Sequence, residues 1–145
     1  MERWRDVELA WQRTLVIIKP EAVKAGLIGE ILSRFERKGL QISRIRDGRI
    51  DRALARQHYI HHADKPFFEG LLDAITAGPV VFAIVEGPSA IAHVRNLVGA
   101  TDPVKASPGS IRGDFAVELP FNMVHASDSP ETAEAEIRRF FGEGA

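Results

Sequence analysis

The chain has 145 residues, 45% hydrophobic and 27% charged, which suits one globular domain with a real core and leaves too little for two. Its 19 basic and 20 acidic side chains give a net charge of −1, so the broad basic field of a non-specific nucleic-acid binder is excluded and any anion must be recognised locally. With no cysteine there is no disulfide, thiolate metal site or thiol nucleophile, and with no long apolar run or signal-peptide pattern the expected location is cytoplasmic, away from any membrane.

Residues 1–145 read as a single domain without repeats or linkers, with 1–12 as an N-terminal extension in which Trp4, Val7 and Trp11 stand at helical spacing. Residues 14–19, TLVIIK, form a continuous apolar run too short for a helix, so a central strand buried on both sides is expected, ending in Lys19. Pro20 stops it. Ile28, Ile31, Leu32 and Phe35 then make a helical stripe closed by Gly39. Leu40, Ile42, Ile45 and Ile50 mark a second strand with Arg44 and Arg46 turned outward, although the alternation is imperfect.

Asp51 is placed to cap a helix running to about His58, and Pro66 to open another carrying Phe67, Phe68, Leu71, Leu72 and Ile75. Residues 80–85 give a further apolar strand, and Pro88 is expected to open a helix with Ile91, Val94 and Val98 inward. Residues 100–121 lack periodicity, and loops of that length inside compact domains are usually functional or disordered. This one holds Thr101, Lys105, Ser107, Ser110 and Arg112, polar and basic groups suited to a phosphate chain. A short strand at 122–125 and a last helix with Ala133, Ile137, Phe140 and Phe141 inward complete the order. Four strands with helices on one face fit an α+β, ferredoxin-like four-stranded antiparallel sheet.

Three charges fall where the pattern asks for apolar groups: Lys19 closing the most buried strand, Arg95 between Val94 and Val98, and Glu136 beside Ile137. A charge removed from water costs several kcal/mol unless it is paired, so each calls for a partner or ligand. The competing reading has Arg95 and Glu136 as flank residues, or as partners of each other.

In NMVHASDS, residues 122–129, His125 leaves an apolar run just before Ser127, Asp128, Ser129 and Pro130, a helix start. Helix N-termini attract anions, so this imidazole is set to meet a phosphate, with a carboxylate such as Glu136 available to fix its tautomer. A lone histidine at a strand end is more commonly structural. His58, His61, His62 and Asp64 have spacings seen in metal sites, but the three histidines fit a solvated helix end as easily, and no metal ligand is assigned. GxGxxG and GxxxxGK[ST] are both absent, which disfavours Rossmann and P-loop modes of phosphate binding.

Together, NMVHASDS, RTLVIIKPEAV, KPFFEGLL, GPVVFAIVEG and SPGSIRGDF closely resemble nucleoside diphosphate kinases over residues 13–142. The resemblance implies transfer of the γ-phosphoryl group of a nucleoside triphosphate to a nucleoside diphosphate, in ping-pong fashion, through a phosphohistidine at Nδ1 of His125. It implies Glu136 as the orienting acid and Lys19, Arg95, Thr101 and Arg112 as phosphate-binding residues. Asn122 would contact the sugar, while Phe67, Leu71 and Leu119 would wall a base cleft tolerant of purines and pyrimidines. Tyr59 matches a tyrosine near the histidine and Ser127 a serine just after it. Mg²⁺ would travel on the phosphates, and a homo-oligomer, hexamer or tetramer, is implied. Three positions depart from the family's usual residues: Ala126 for glycine, Phe121 for a basic or polar group, and His61 for an acid that often supports the metal's water shell. The alternative is a nucleotide-binding regulatory module with little turnover; a nucleic-acid-binding domain is disfavoured by the balanced charge.

Overall fold

Alternate side chains of the first apolar strand go to opposite sides of one sheet, and both sides are covered. The computed structural model describes residues 10–145. Its elements are β1 (Trp11–Ile18), α1 (Pro20–Lys24), α2 (Ile28–Arg37), β2 (Gln41–Gly48), α3 (Arg52–His58), α4 (Phe68–Ile75), β3 (Val80–Pro88), α5 (Ala90–Val98), α6 (Ile111–Phe115), β4 (Val124–Ala126) and α7 (Pro130–Phe141). The strands lie in the order β2-β3-β1-β4, and each neighbouring pair is antiparallel. This is the expected ferredoxin-like sheet.

The helices are not confined to one face. Val16, Ile18, Val81, Ala83 and Val85 meet Ile31 and Phe35 of α2, Val94 and Val98 of α5, and Ile111. On the other face Leu15, Ile17, Phe82 and Ile84 meet Phe68, Leu72 and Ile75 of α4 and Ile137 and Phe140 of α7. The physical reason is that β1 and β3 are apolar at consecutive positions, so each face needs a cover. Burying one such side chain is worth about 1.5–3 kcal/mol, which makes a bare second face untenable.

Several boundaries differ from the expectations. Trp11 belongs to β1, is 60% exposed and donates its indole N–H to Glu86 at 2.9 Å, so it takes no part in a helical stripe. Trp4 and Val7 lie outside the described residues. Pro88 ends β3 instead of opening a helix; Ser89, at φ 50°, turns the chain into α5. The helix expected from Pro66 starts at Phe68. The 100–121 stretch contains a 3₁₀ turn at Pro103–Lys105 and α6, capped by Ser110, whose hydroxyl accepts from Gly113 N at 3.0 Å. Strand β4 runs Val124–Ala126, after Met123 at φ 73°. In β2 an irregularity between Ile42 and Arg44 breaks the alternation, which explains its imperfect sequence pattern.

Candidate active site

Strand β4 pairs with β1, setting His125 opposite Ile17, and the capped start of α7 brings Glu136 back over the same strand. Nε2 of His125 lies 2.8 Å from Oε1 of Glu136, and Ser127 donates its hydroxyl to the same oxygen at 2.7 Å. Burial of Glu136 opposes its ionisation, but these bonds and the nearby charges of His125 and Arg139 outweigh it and hold the carboxyl below its usual range. An ionised carboxylate only accepts, so Nε2 carries the proton and Nδ1 the lone pair. Nδ1 bonds no protein group among the described residues, and the ring lines a cleft of about 920 Å³.

Lys19 reaches that cleft from the end of β1 and is only 3% exposed. Its ammonium donates to Pro120 O at 2.8 Å and to Asn122 Oδ1 at 2.9 Å, with Glu21 at 3.6 Å. Burial pulls its pKa down and Arg112 adds to this, while Glu21 works against both. Arg112, on α6, donates to the carbonyls of Asn122 (3.2 Å), Gly99 (3.0 Å) and Val124 (2.6 Å). A guanidinium has five N–H groups, so these three bonds leave one free on each terminal nitrogen. Burial, then repulsion from Arg95, brings Arg112 down to about 10, still cationic at neutral pH.

The nucleophile, orienting acid, phosphate, sugar and base residues implied by the resemblance line this one cleft. Alongside Lys19, Arg112, His125 and Glu136 stand Arg95, Thr101 and Asn122, and Phe67, Leu71 and Leu119 form its apolar rim with Tyr59 deeper in. Their settings differ in instructive ways. Arg95 is exposed and not a buried charge, because the inward face of its helix is taken by Ala90, Val94 and Val98; its guanidinium reaches Ala126 O at 3.4 Å. Asn122 uses both ends within the protein, accepting from Lys19 and donating to Thr101 O at 2.9 Å. Lys105 and Ser107 are exposed outside the cleft and Ser110 is spent as a helix cap. Phe121 is half-exposed and also outside it, whereas His61 and His62 stand at the rim. Tyr59 has its phenol pushed up, first by burial and then by Glu21 and Glu136.

Sequence reasoning missed Glu21 and Arg139 and misplaced His58, which is buried and not on a solvated helix end. His58 packs against the His125 ring with centroids 4.6 Å apart, and Arg139 donates to its Nδ1 at 3.0 Å. Burial first, then the positive charges around it, holds His58 down at about 2, so its 3.8 Å approach to Glu136 is no ion pair. Glu21 supports Lys19 and accepts from Met123 N at 3.1 Å. The signal for Glu21 was available, an acid two places beyond a lysine expected to be buried. His58 and Arg139 are brought together only by the fold. Donor atoms of His58, His125 and Glu136 lie within 4.8 Å of one another, a metal-like spacing. Hydrogen bonds already engage one nitrogen of each ring, His58 Nδ1 with Arg139 and His125 Nε2 with Glu136.

An imidazole with a free nitrogen, backed by an acid and faced by cations in a nucleotide-sized cleft, is the equipment of a phosphotransferase. A sequence model described as nucleoside diphosphate kinase matches residues 12–145. The chain is 57% identical over 133 residues to the nucleoside diphosphate kinase of Nocardia farcinica, covering 91% of this chain and 96% of that one. With that of Mycolicibacterium smegmatis it shares 59% over 131 residues, covering 90% and 94%. The solved nucleoside diphosphate kinase of Encephalitozoon cuniculi superposes with a TM-score of 0.89 at 38% identity, covering 91% and 90% of the two chains. That of Halobacterium salinarum, in complex with CDP, superposes at 0.88 with 47% identity, covering 91% and 88%. The chain belongs to the nucleoside diphosphate kinase family.

Proposed function

We propose how this chain performs the reaction of its family, the transfer of the γ-phosphoryl group of a nucleoside triphosphate to a nucleoside diphosphate. It is an enzyme, a phosphotransferase. In the first half-reaction the lone pair of His125 Nδ1 attacks the γ-phosphorus, the bond to the β-bridging oxygen breaks, and the nucleoside diphosphate leaves with that electron pair. In the second, a terminal β-phosphate oxygen of the acceptor attacks the same phosphorus and the N–P pair returns to Nδ1. Glu136 keeps the proton on Nε2 throughout and balances positive charge on the phosphorylated ring. The single observation carrying this reading is the 2.8 Å bond from Nε2 to Glu136, which leaves Nδ1 as the nucleophile.

Lys19, Arg95 and Arg112 supply charge stabilisation and alignment, the two things phosphoryl transfer chiefly requires. Phe67, Leu71 and Leu119 offer apolar surface to any base, and Asn122 and Thr101 edge the cleft where the sugar would lie; that the halobacterial relative is solved in complex with CDP supports a nucleoside diphosphate as ligand. Mg²⁺ takes oxygen ligands and keeps much of its water. The cleft's carboxylates are Asp128 and Glu136, and Glu136 is engaged, so the ion fits as a companion of the phosphates with Asp128 as the available acid. When bound it neutralises phosphate charge.

The same reading makes residues 1–145 one catalytic domain with an N-terminal extension, assembled as a hexamer or tetramer. The open edge of β2, with Ile45 55% exposed, supports assembly, and light scattering measures its size. No helix among the described residues is long and apolar enough to cross a membrane. A cytoplasmic location is inferred from the sequence and tested by cell fractionation.

Incubation with γ-labelled ATP should give acid-labile, alkali-stable labelled protein that passes its label to GDP. An unlabelled native protein, or full labelling of His125→Ala, rejects the mechanism. Nucleotide binding without GTP formation would instead identify a regulatory module.

A further inference from the structure

Behind the ring of His125 lies a second imidazole that the mechanism above does not use. His58, at the end of α3, has a side chain only 2% exposed. Its ring meets that of His125 edge to face, centroids 4.6 Å apart and planes 81° to one another. Tyr59 and Phe140 pack on it at 4.8 Å and 5.2 Å, so its freedom to turn is small. From α7, Arg139 directs a terminal nitrogen to His58 Nδ1 at 3.0 Å, its one side-chain hydrogen bond among the described residues.

A guanidinium can only donate, so Nδ1 of His58 must hold a lone pair and Nε2 the proton. That Nε2 is buried without a hydrogen-bond partner, a setting in which the ring has nothing else to fix its tautomer. The charges facing His58 are those of His125 on β4, Glu136 and Arg139 on α7, His61 in the adjoining turn and Lys19 at the end of β1. The hydrogen bond from Nε2 of His125 to Glu136 pins one corner of the catalytic ring but does little to set its tilt about the Cβ–Cγ bond. Tilt decides where Nδ1 points, and a displacement of about 1 Å at a reacting atom costs on the order of 100-fold in rate.

We propose that Arg139 is a positioning residue for phosphoryl transfer: by donating to His58 Nδ1 it fixes the tautomer and orientation of His58, whose ring in turn sets the plane of His125. The proposal rests on His125 Nδ1 being the nucleophile. Arg139 touches no reacting atom; it acts through the ring between.

Two measurements test it. In ¹⁵N-labelled native protein, long-range histidine correlation spectra should show His58 protonated on Nε2 and accepting at Nδ1; a proton on Nδ1 overturns the proposal whether or not any variant folds. In single-turnover labelling from ATP, Arg139→Leu should slow phosphorylation of His125 about 10-fold with KM changed less than about twofold, and Arg139→Lys, which retains a donor, should recover most of the rate. An Arg139→Leu rate equal to native, or slowing that Arg139→Lys does not relieve, overturns it. Native protein that takes no label defeats the reading of His125 itself, whereas native labelling matched by Arg139→Leu defeats only the role of Arg139.

Discussion

His125 and Glu136 are joined by a 2.8 Å hydrogen bond that ties the last strand to the last helix, and the acceptor oxygen is shared with Ser127. The bond does two jobs at once. It sends the ring proton to Nε2 and it restrains the ring. Glu136→Gln can still offer a carbonyl to that N–H but brings no negative charge. The variant should bind nucleotide as before and take label from ATP about 10–100-fold more slowly. Equal labelling rates in rapid-quench experiments would assign Glu136 a different role.

His58 makes stability depend on pH already above the range in which carboxylates titrate. It is held neutral down to about 2, by burial first and then by the charges of His125, Arg139, His61 and Lys19. In the unfolded chain it returns to its ordinary value of 6.5, so between these limits the unfolded state binds the extra proton. Its contribution is therefore complete above pH 6.5 and declines as the pH falls. His62, also lowered by burial and by His61 and Lys65, acts in the same direction. Glu136, with its depressed value, contributes fully above the unfolded carboxylate range near ~4.3 and loses its share only as pH falls through its lower folded value. Urea midpoints should drop from pH 7 to pH 5.5, and drop less in His58→Asn.

The short helix α6 that carries Arg112 has no room for a side chain at Gly113. A Cβ there would sit 1.9 Å from the carbonyl oxygen of Ser107, a backbone atom that cannot swing aside. Gly113→Ala should lose on the order of 3 kcal/mol in denaturant unfolding, in the range of severe single substitutions. Its nucleotide KM should rise as well, because Arg112 is the adjoining residue. Native-like stability and KM would show that the segment at Ser107 can yield to the methyl group.

At the rim, Phe67 is half-exposed and presents a ring face without selective hydrogen bonds to a base. Removing an aromatic platform for a base is worth about 1–3 kcal/mol in single-stranded nucleic-acid complexes. Phe67→Ala should raise KM for ADP, GDP and CDP by a similar factor of about 5–10, at the low end of that range. A loss confined to purines would replace the common wall by a selective contact.

Much of the fold and of the site is legible in the chain alone. The consecutive apolar residues of 14–18 and 80–85 announce strands buried on both sides, and Asp51 and Ser129 announce helix starts that the structure confirms. Lys19 and Glu136 stand out because ionised groups at core positions require partners, and both have them. What local sequence could not decide was which elements meet in space. Which helices cover which face follows from β1 and β3 lying side by side at the centre of the sheet, a long-range pairing. Arg95 breaks the apolar pattern as Glu136 does, yet its helix turns it to solvent while α7 turns Glu136 inward. The contacts of His58 with His125 and Arg139 join positions 67 and 81 residues apart, a meeting without any local signature, and only the tertiary fold, which brings the end of α3 and one turn of α7 to the ring carried by β4, brings it about.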